Sequence, residues 1–205
     1  MDTGCGEGRL ARDLKGLGHR IVGIDSSPSL VAAARAFEAS MDVRLADAAA
    51  LPLDDASGDL AVAFMSFQDM NDLPAAVHQV ARVLEPGGRP CLAIVHPINS
   101  AGRFDHARPD ADFVIKGAYV RAFQYADRVE YDGLIITFHS QHRPLGAYFE
   151  AFEKAGLLGL LVEALREPSV PEHAGFGNWP SLAAYTAFLA PARARSQRSR
   201  SPPWL

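Results

Sequence analysis

The first half of the chain alternates short apolar runs with helical patterns, and this alternation limits the folds that the sequence can adopt. Four apolar runs have the length and composition of buried strands, at 21–24, 43–46, 60–64 and 91–95. Helical spacing of apolar residues, or a run rich in alanine, lies between or before them, at 10–17, 30–39 and 73–84. Strands that alternate with helices predict an α/β, doubly wound and mostly parallel sheet with helices on both faces.

The second half of the chain breaks this alternation. Residues 98–133 mix polar and aromatic side chains, and we predict that they form an insertion over the edge of the sheet. The pattern then predicts a strand at 134–138, a helix at 144–155 and a strand at 157–165 that pairs with the strand before it. A short terminal helix is predicted at 181–189.

The length of 205 residues suits a single domain, which we predict over residues 1–190. The segment 191–205 carries four arginines among serine, glutamine and proline, a composition that predicts a disordered tail. The 98–133 insertion is expected to belong to the same domain.

Charge and cysteine content narrow the classes of partner and compartment. The formal net charge is −4 and the sequence pI is about 6.0, which argues against a nucleic-acid partner. Cys5 and Cys91 form neither a disulfide framework nor a zinc-binding pattern, so we expect a reducing compartment and no metal. Neither a targeting segment nor a membrane span is visible. We predict a cytoplasmic protein, and nothing in the sequence indicates an obligate protein partner.

The sharpest motif is a glycine-rich turn, D-T-G-C-G-E-G at 2–8, which is followed by a helix and then by a strand that ends in Asp25. Glycines in such a turn let the backbone approach a ligand, and an acidic residue after the next strand can accept hydrogen bonds from both hydroxyls of a ribose. The spacing is G-x-G-x-G, whereas dinucleotide enzymes use G-x-G-x-x-G, whose third glycine would fall on Arg9. A phosphate-binding P-loop and a hydrolase G-x-S-x-G motif are both absent from the sequence.

Taken together, four stretches resemble the class I S-adenosylmethionine-dependent methyltransferases, and most closely their type 11, small-molecule branch. They occur in the family's order and with its spacing: DTGCGEG at 2–8, VGIDSSPSLVAAARA at 22–36, ADAAALPLDDASGDL at 46–60 and ARVLEPGGRP at 81–90. The resemblance covers about the first half of the chain. It implies a Rossmann-like sheet of seven strands with an antiparallel last strand, and a cofactor that lies across the carboxyl ends of the first strands.

The resemblance also implies which residues bind S-adenosylmethionine. Those of the glycine turn would contact the methionine part: Asp2, Gly4, Cys5, Gly6 and Gly8. The remaining contacts would come from residues that follow the next strands, with Asp25 and Ser26 at the ribose, Asp47 and Ala48 at the adenine, and Phe64 and Met65 beside the sulfonium. For Asp47 alone, a solvated turn carboxylate explains the sequence about as well.

One departure from the family concerns the start of the chain. Met1 stands where the family's first strand should be ending, so that strand is predicted to be largely missing. Either the chain is an N-terminally truncated form of a longer protein, or it is a clipped member of the family that binds cofactor poorly. This departure motivates an alternative hypothesis, a degenerate, non-catalytic cofactor-binding or regulatory protein of the same fold. A nicotinamide-dependent oxidoreductase is a third hypothesis, which the glycine spacing disfavours.

The sequence constrains the methyl acceptor less than it constrains the cofactor. Our hypothesis is direct displacement of the methyl group by a small-molecule acceptor, with residues 98–133 as a lid over the acceptor site. Candidates for a base or a positioning group are His96, His139, His142 and Tyr119. His96 and His139 are expected at the carboxyl ends of strands, where ligands in doubly wound sheets bind, whereas Tyr119 lies in the insertion and His142 in the polar cluster at 139–143. For each of them a structural role is a competing interpretation: a loop histidine, a capping cluster or a packed aromatic ring. No catalytic base is assigned.

Overall fold

The computed structural model describes residues 1–104, 112–117, 119–131, 134–157, 161–164 and 185–189. Within these residues the first half of the chain has the expected alternation of strands and helices. The strands are β1 (Asp2–Thr3), β2 (Val22–Asp25), β3 (Asp42–Leu45), β4 (Gly58–Phe64) and β5 (Leu84–Val95). Three helices connect them, α1 (Arg9–Gly16), α2 (Pro28–Phe37) and α3 (Leu73–Val83), together with a single 3₁₀ turn at Ala48–Ala50.

Local sequence explains where two of these helices begin. Ser27 caps α2, since its side chain accepts a hydrogen bond from the amide of Leu30, and Pro28 occupies the first helical position, where its fixed φ is favourable. In the same way Asp72 caps α3 by accepting from the amide of Ala75 at 3.0 Å. Capping residues next to each helix therefore fix where α2 and α3 begin.

The second half contains two hairpins and the last part of the sheet. Its elements are α4 (Ile98–Ala101), β6 (Gly102–Phe104), β7 (Phe113–Ile115), β8 (Phe123–Tyr131), β9 (Leu134–His142), α5 (Leu145–Lys154), β10 (Leu161–Ala164) and β11 (Tyr185–Leu189). β6 pairs with β7, and β8 pairs with β9 over nine residue pairs from Phe123–His142 to Tyr131–Leu134. Both hairpins are antiparallel and lie outside the main sheet.

The main sheet has seven strands in the order β10-β11-β5-β4-β1-β2-β3. All pairings from β3 to β5 are parallel, and β11 runs antiparallel to both of its neighbours. This confirms a Rossmann-like, mostly parallel sheet with an antiparallel last strand. β1 is only two residues long, yet it is central, because Asp2 pairs with both Gly23 of β2 and Val62 of β4.

Two predictions for the second half are wrong. The segment predicted as a terminal helix contains β11, whose five residues pair with 91–95 of β5. The strand near 157–165 does not pair with the strand at 134–138, since β10 pairs with β11, and β9 forms its own hairpin with β8. A short apolar run fits a helix or a strand equally well, and here the segment forms a strand because it can pair with the edge of β5. The predicted tail at 191–205 lies outside the described residues.

Two core clusters flank the sheet. The larger one gathers buried residues of α3 and α5, including Val77, Val80, Tyr148 and Phe152, and the smaller one lies around Ala11, Val31 and Ala34 of α1 and α2. Helices on both sides are what a parallel sheet requires. No helix of the described residues is long and apolar enough to cross a membrane. Nor do the described residues bring together three or more histidine, cysteine or carboxylate side chains that could hold a metal.

Candidate functional site

The glycine turn after β1 is held by hydrogen bonds to the end of β2. The amides of Gly4 and Cys5 both donate to the carbonyl of Ile24, at 2.8 and 3.0 Å. The amide of Gly6 donates to the Asp25 carboxylate at 2.8 Å. The turn that follows β1 and the acidic residue that ends β2 are therefore built as one unit, at the carboxyl edge of the sheet where ligands of such folds bind.

Two glycines of the turn are required for different reasons. Gly4 has a φ of 74°, and a Cβ there would lie 2.4 Å from the Cβ of Ser66, so the position is closed by packing. Gly6 has a φ of 55°, but a Cβ there would meet nothing within 4 Å. The space beside Gly6 is thus open to a ligand that approaches the backbone closely.

Asp2, at the carboxyl edge of the sheet, is a buried acidic residue. Its side chain is 2% exposed, and its Oδ2 atom has no hydrogen-bond partner in the described structure. Burial raises the pKa of Asp2 to about 6; the N-terminal ammonium opposes this shift and the Asp25 carboxylate adds to it. A buried carboxylate oxygen without a partner is costly to a folded protein, and a cationic or hydrogen-bond-donating ligand would relieve that cost.

A cleft of about 480 Å³ adjoins this carboxylate. Its lining combines residues of the turn, of α1 and of the end of β4: Asp2, Gly4, Cys5, Arg9, Leu10, Asp13 and Phe64. The volume lies in the range of small-molecule sites, which is roughly 300–1,000 Å³. Phe64 lies beside the cleft and is 57% exposed, which is a large exposed fraction for an apolar side chain. A ligand bound in the cleft would reduce the exposed area of Phe64.

Asp25 is already used by the backbone and still has acceptor capacity. Its Oδ2 accepts from the amide of Gly6 and its Oδ1 from the amide of Ser27 at 2.9 Å. Each carboxylate oxygen has a second lone pair, so Asp25 can accept from a diol as well. Ser26, beside it, is exposed.

The residues predicted at the adenine lie at the end of β3. Asp47 is exposed and its Oδ1 caps the 3₁₀ turn by accepting from the amide of Ala49 at 2.8 Å. Ala48 is 8% exposed and belongs to the larger core cluster. Asp47 therefore has a structural role in the turn, and its Oδ2 has no hydrogen bond to the described residues.

The backbone is strained directly after β4. Met65 has a φ of 56°, which is rare for a residue with a side chain, and its amide donates to the carbonyl of Ala93 at 2.7 Å. Strain of this kind collects at binding sites, where it fixes the direction of a loop. Here it turns the chain away from the exposed Phe64 and toward Gln68, whose Nε2 donates to the Met65 carbonyl at 2.8 Å.

Cys5 lines the cleft but is mainly a packing residue. It is 8% exposed, and a Cβ on Gly23 would lie 2.9 Å from its sulfur, so the thiol fills the space that Gly23 leaves. Burial raises the pKa of Cys5 to about 12, helped by the nearby charges of Asp2 and Asp25. The thiol is therefore protonated at neutral pH and is a poor nucleophile.

A second, smaller pocket of about 80 Å³ lies beyond the end of β5. It is bounded by the segment after β4, the end of β5, the β8–β9 hairpin and α5, and its lining includes Gln68, Val95, His96, Pro97, Ser100, Tyr125, Ser140, Gln141, Arg143 and Tyr148. His96 is the one candidate of the acceptor side that lines it. The Nδ1 of His96 accepts from the amide of Ile98 at 3.1 Å, and burial lowers the pKa of His96.

His139, His142 and Tyr119 lie elsewhere in the hairpin region. His142 is fully buried, with Nδ1 2.7 Å from the hydroxyl of Ser100 and Nε2 2.8 Å from the carbonyl of Tyr119. Its ring stacks on Phe123 at a centroid distance of 4.6 Å. Tyr119 accepts from the amide of Leu145 through its hydroxyl, and His139 is exposed on β9. Both nitrogens of His142 are therefore occupied by the protein itself.

Arg143 is a residue of this region that the sequence analysis missed. It is 8% exposed, and its guanidinium donates to the carbonyls of Gln68 and Asn71, both at 3.1 Å, and also to that of Met70. The hydrogen bonds of Arg143 thus hold residues 68–71, which follow β4, against the end of β9. Arg9, Asp13, Gln68 and Tyr148 were missed as well, because no motif marks a residue whose position depends on distant packing.

Comparisons with known proteins find methyltransferases among the relatives of this chain. Residues 1–92 match the family model described as a methyltransferase domain. Over 88 residues the chain is 35% identical to a malonyl-[acyl-carrier protein] O-methyltransferase of Serratia marcescens, an alignment that takes 43% of this chain and 34% of the relative. It is 34% identical over 142 residues to an uncharacterized 37.1 kDa protein in transposon TN4556 of Streptomyces fradiae, covering 66% of this chain and 39% of that protein. The chain therefore spans little more than a third of the length of these curated relatives.

Solved structures show the same fold over more of the chain. An S-adenosylmethionine-dependent methyltransferase from Mesorhizobium loti superposes with a TM-score of 0.68 at 22% identity. The superposition covers 93% of this chain and 88% of the other, so it includes the second half, which the family model does not reach.

Proposed function

We propose that this chain, whose residues 1–92 match a methyltransferase-domain family model, is a class I S-adenosylmethionine-dependent methyltransferase that binds this cofactor in the cleft beside Asp2 and transfers the methyl group to a small molecule. The observation that carries the proposal is at Asp2, a residue that lines the cleft and whose buried Oδ2 atom has no hydrogen-bond partner among the described residues. The methionine end of the cofactor carries an ammonium group, and a carboxylate is its natural partner.

The other residues of the edge fit the rest of the cofactor. Gly6 leaves the backbone open to close approach, and Asp25 keeps one lone pair on each oxygen for the ribose hydroxyls. Asp47, exposed at the end of β3, would accept from the adenine amino group. Phe64 would cover the cofactor from the side of β4, since it is exposed and lines the cleft.

When bound, the cofactor supplies a methyl group on a positively charged sulfur, which needs little further activation. The work left to the protein is to hold an acceptor in line with that methyl group and to exclude water. The pocket beyond β5 is suited to this task because β4 and β5 are neighbouring strands, with Phe64 paired to Ala93. We assign direct displacement as the reaction type and the pocket at His96 as the acceptor site.

The proposed acceptor is a small molecule rather than a nucleic acid, since the net charge is −4. The Serratia marcescens relative is named for an acyl-carrier-protein substrate, and a Haloferax volcanii methyltransferase of similar fold was solved in complex with an activator protein. Those partners belong to the relatives. We propose the cytoplasm as the compartment, because Cys5 and Cys91 are both free thiols.

Calorimetric titration of S-adenosylmethionine into the full chain tests the cofactor assignment, with Gly6→Val as the variant and Gly156→Val as the control. Both glycines have a positive φ, 55° and 73°, and a Cβ added at either would meet no atom within 4 Å, but only Gly6 belongs to the glycine turn. We expect binding by the parent chain and by the Gly156 variant, and loss of binding in the Gly6 variant. Tighter binding of NADH than of S-adenosylmethionine would contradict the proposal in favour of an oxidoreductase.

Catalysis requires a second measurement, because binding does not demonstrate turnover. Incubation with S-adenosylmethionine and a panel of small hydroxy, amino and carboxamide compounds should yield S-adenosylhomocysteine only when an acceptor is present. Binding of the cofactor without turnover on any acceptor would favour the non-catalytic alternative.

A further inference from the structure

The pocket beyond β5 is small enough for its hydrogen-bonding groups to be followed one by one. Tyr125 and Tyr148 have interaction partners, and four further polar side chains of the pocket are engaged as well. The hydroxyl of Ser100 lies 2.7 Å from Nδ1 of His142, and that of Ser140 hydrogen-bonds to Asp69. Gln141 donates to Asn71 at 3.0 Å and accepts from Arg143 at 2.5 Å. The guanidinium of Arg143 is occupied chiefly by backbone carbonyls. These groups are satisfied without a ligand.

Gln68 is different, because one of its two polar atoms has no partner among the described residues. Its Nε2 donates to the Met65 carbonyl, whereas its Oε1 is buried and forms no hydrogen bond in the described structure. The orientation of the amide is fixed, since a flipped amide would place Oε1 against the Met65 carbonyl, acceptor against acceptor. Gln68 therefore lines the pocket and carries a buried acceptor that the described residues leave without a donor.

His96 presents the complementary group. Its Nδ1 accepts from the amide of Ile98, so in the neutral ring the proton must be on Nε2. Nε2 has no hydrogen bond to any of the described residues, and the ring lines the same 80 Å³ pocket as Gln68. In this arrangement His96 is a hydrogen-bond donor, and it is not set up to receive a proton at Nε2.

We propose that this pocket recognises an uncharged acceptor molecule in which a hydrogen-bond donor and a hydrogen-bond acceptor lie side by side, as in a carboxamide or a hydroxy-carbonyl compound. Gln68 Oε1 accepts from the N–H or O–H of that molecule, and the Nε2–H of His96 donates to its oxygen. The proposal rests on the proposed function, because it assigns the substrate class of the same acceptor site.

A carboxylate fits this pair poorly. It offers two acceptor oxygens and no donor, so one of them would face Gln68 Oε1 across a buried contact. The positive charge of Arg143 does not compensate for this, because its hydrogen bonds are used within the protein and Asp69 lies close enough to interact with its charge. Neutral ligands are therefore favoured over anionic ones of the same shape.

Acetamide and acetate provide a test, since they have nearly the same shape and differ in the donor and the charge. Each is titrated into isotope-labelled full chain, and the side-chain resonances of Gln68 and His96 are followed by NMR. We expect saturable shifts with acetamide, and about tenfold weaker binding of acetate, the size of one unpaired buried acceptor. Equal or tighter binding of acetate would overturn the proposal, as would the absence of shifts with acetamide.

Two variants and one spectrum sharpen the test. Gln68→Leu should abolish the preference for acetamide, whereas Gln124→Leu, an exposed position on β8, should leave it unchanged. A long-range ¹H–¹⁵N spectrum should show His96 protonated at Nε2; protonation at Nδ1 would refute its role as donor. The titrations need no cofactor, so they are separate from the calorimetry. A chain that prefers acetamide but does not bind S-adenosylmethionine would retain the pocket and lose the proposed function.

Discussion

Replacing Asp2 with asparagine should have opposite effects on stability and on cofactor binding. The carboxylate is 2% exposed and one of its oxygens has no partner among the described residues, so its negative charge destabilises the ligand-free protein. The same charge is the proposed partner of the cofactor's ammonium. Asp2→Asn keeps the shape of the side chain and removes the charge, and it therefore separates the two effects.

The size of the stability effect follows from the pKa. Folding raises the pKa of Asp2 from 3.8 to about 6, and a shift of about two units corresponds to about 3 kcal/mol. Because the folded state holds this proton more tightly, the stabilising contribution is complete below about pH 4. It is lost as the pH rises toward 6, and above that the parent chain lacks it entirely. The asparagine variant has no such dependence.

Urea unfolding of both chains at several pH values between about 4 and 7.5 measures this difference. The free energy of unfolding of Asp2→Asn, relative to the parent, should rise by about 3 kcal/mol across that range. Any fixed cost of burying the amide is the same at every pH and does not affect the rise. A relative stability that stays flat across the range would refute the reasoning that Asp2 is desolvated and ionised at neutral pH.

Calorimetry supplies the second half of the test. Loss of a charged hydrogen-bond partner should weaken the binding of S-adenosylmethionine by about 10- to 100-fold in Asp2→Asn at neutral pH. In the parent chain, affinity should fall as the pH is lowered through about 6, because protonation of Asp2 removes the same charge. An unchanged dissociation constant in the variant would remove Asp2 from the cofactor site.

Three further perturbations test backbone packing and buried hydrogen bonds in the fold. Gly4→Ala should lower the free energy of unfolding by more than about 2 kcal/mol, and Gly6→Ala by about 1 kcal/mol, because only the Cβ at position 4 would collide with a neighbour. Equal losses of stability for the two variants in urea unfolding would contradict this packing. His142→Phe should lower the free energy of unfolding by about 2–3 kcal/mol, because it leaves the Ser100 hydroxyl and the Tyr119 carbonyl without the histidine as a partner. His139→Phe, at an exposed position of β9, should change the free energy of unfolding by no more than about 0.5 kcal/mol. Arg82→Met should lower the free energy of unfolding by about 2–3 kcal/mol, because the guanidinium donates to the carbonyls of Leu51 and Leu53 and to the carboxylate of Asp55. An unchanged stability in thermal or urea unfolding would show that water replaces these hydrogen bonds.

The first half of the chain was predictable because its signals are local. The caps at Ser27 and Asp72 and the apolar runs of β2 to β5 each act within a few residues, and the helices and strands that they start or form overlap the predicted elements. The glycine turn is equally local, since its conformation depends on residues 2–8 and on the strand that follows. Such patterns fix elements before any tertiary contact is made.

The second half was less predictable because its elements are decided by their neighbours. Residues 185–189 form β11 because they pair with β5 of the main sheet, and residues 134–142 form one strand of a separate hairpin because they pair with β8. Neither outcome follows from a short run of apolar or mixed residues, which is compatible with helix and strand alike.

The sequence by itself determined the alternating α/β fold, the glycine turn and the match of residues 1–92 to a methyltransferase-domain family model. Only the tertiary structure decided which polar groups of the described residues are left without partners. Asp2 Oδ2 and Gln68 Oε1 are unpaired there because strands and loops far apart in the chain bury them, and both terminal nitrogens of Arg143 are engaged because the side chain meets residues 68–71 across more than 70 positions. Burial and partnership are properties of contacts between distant segments, and no local pattern encodes them.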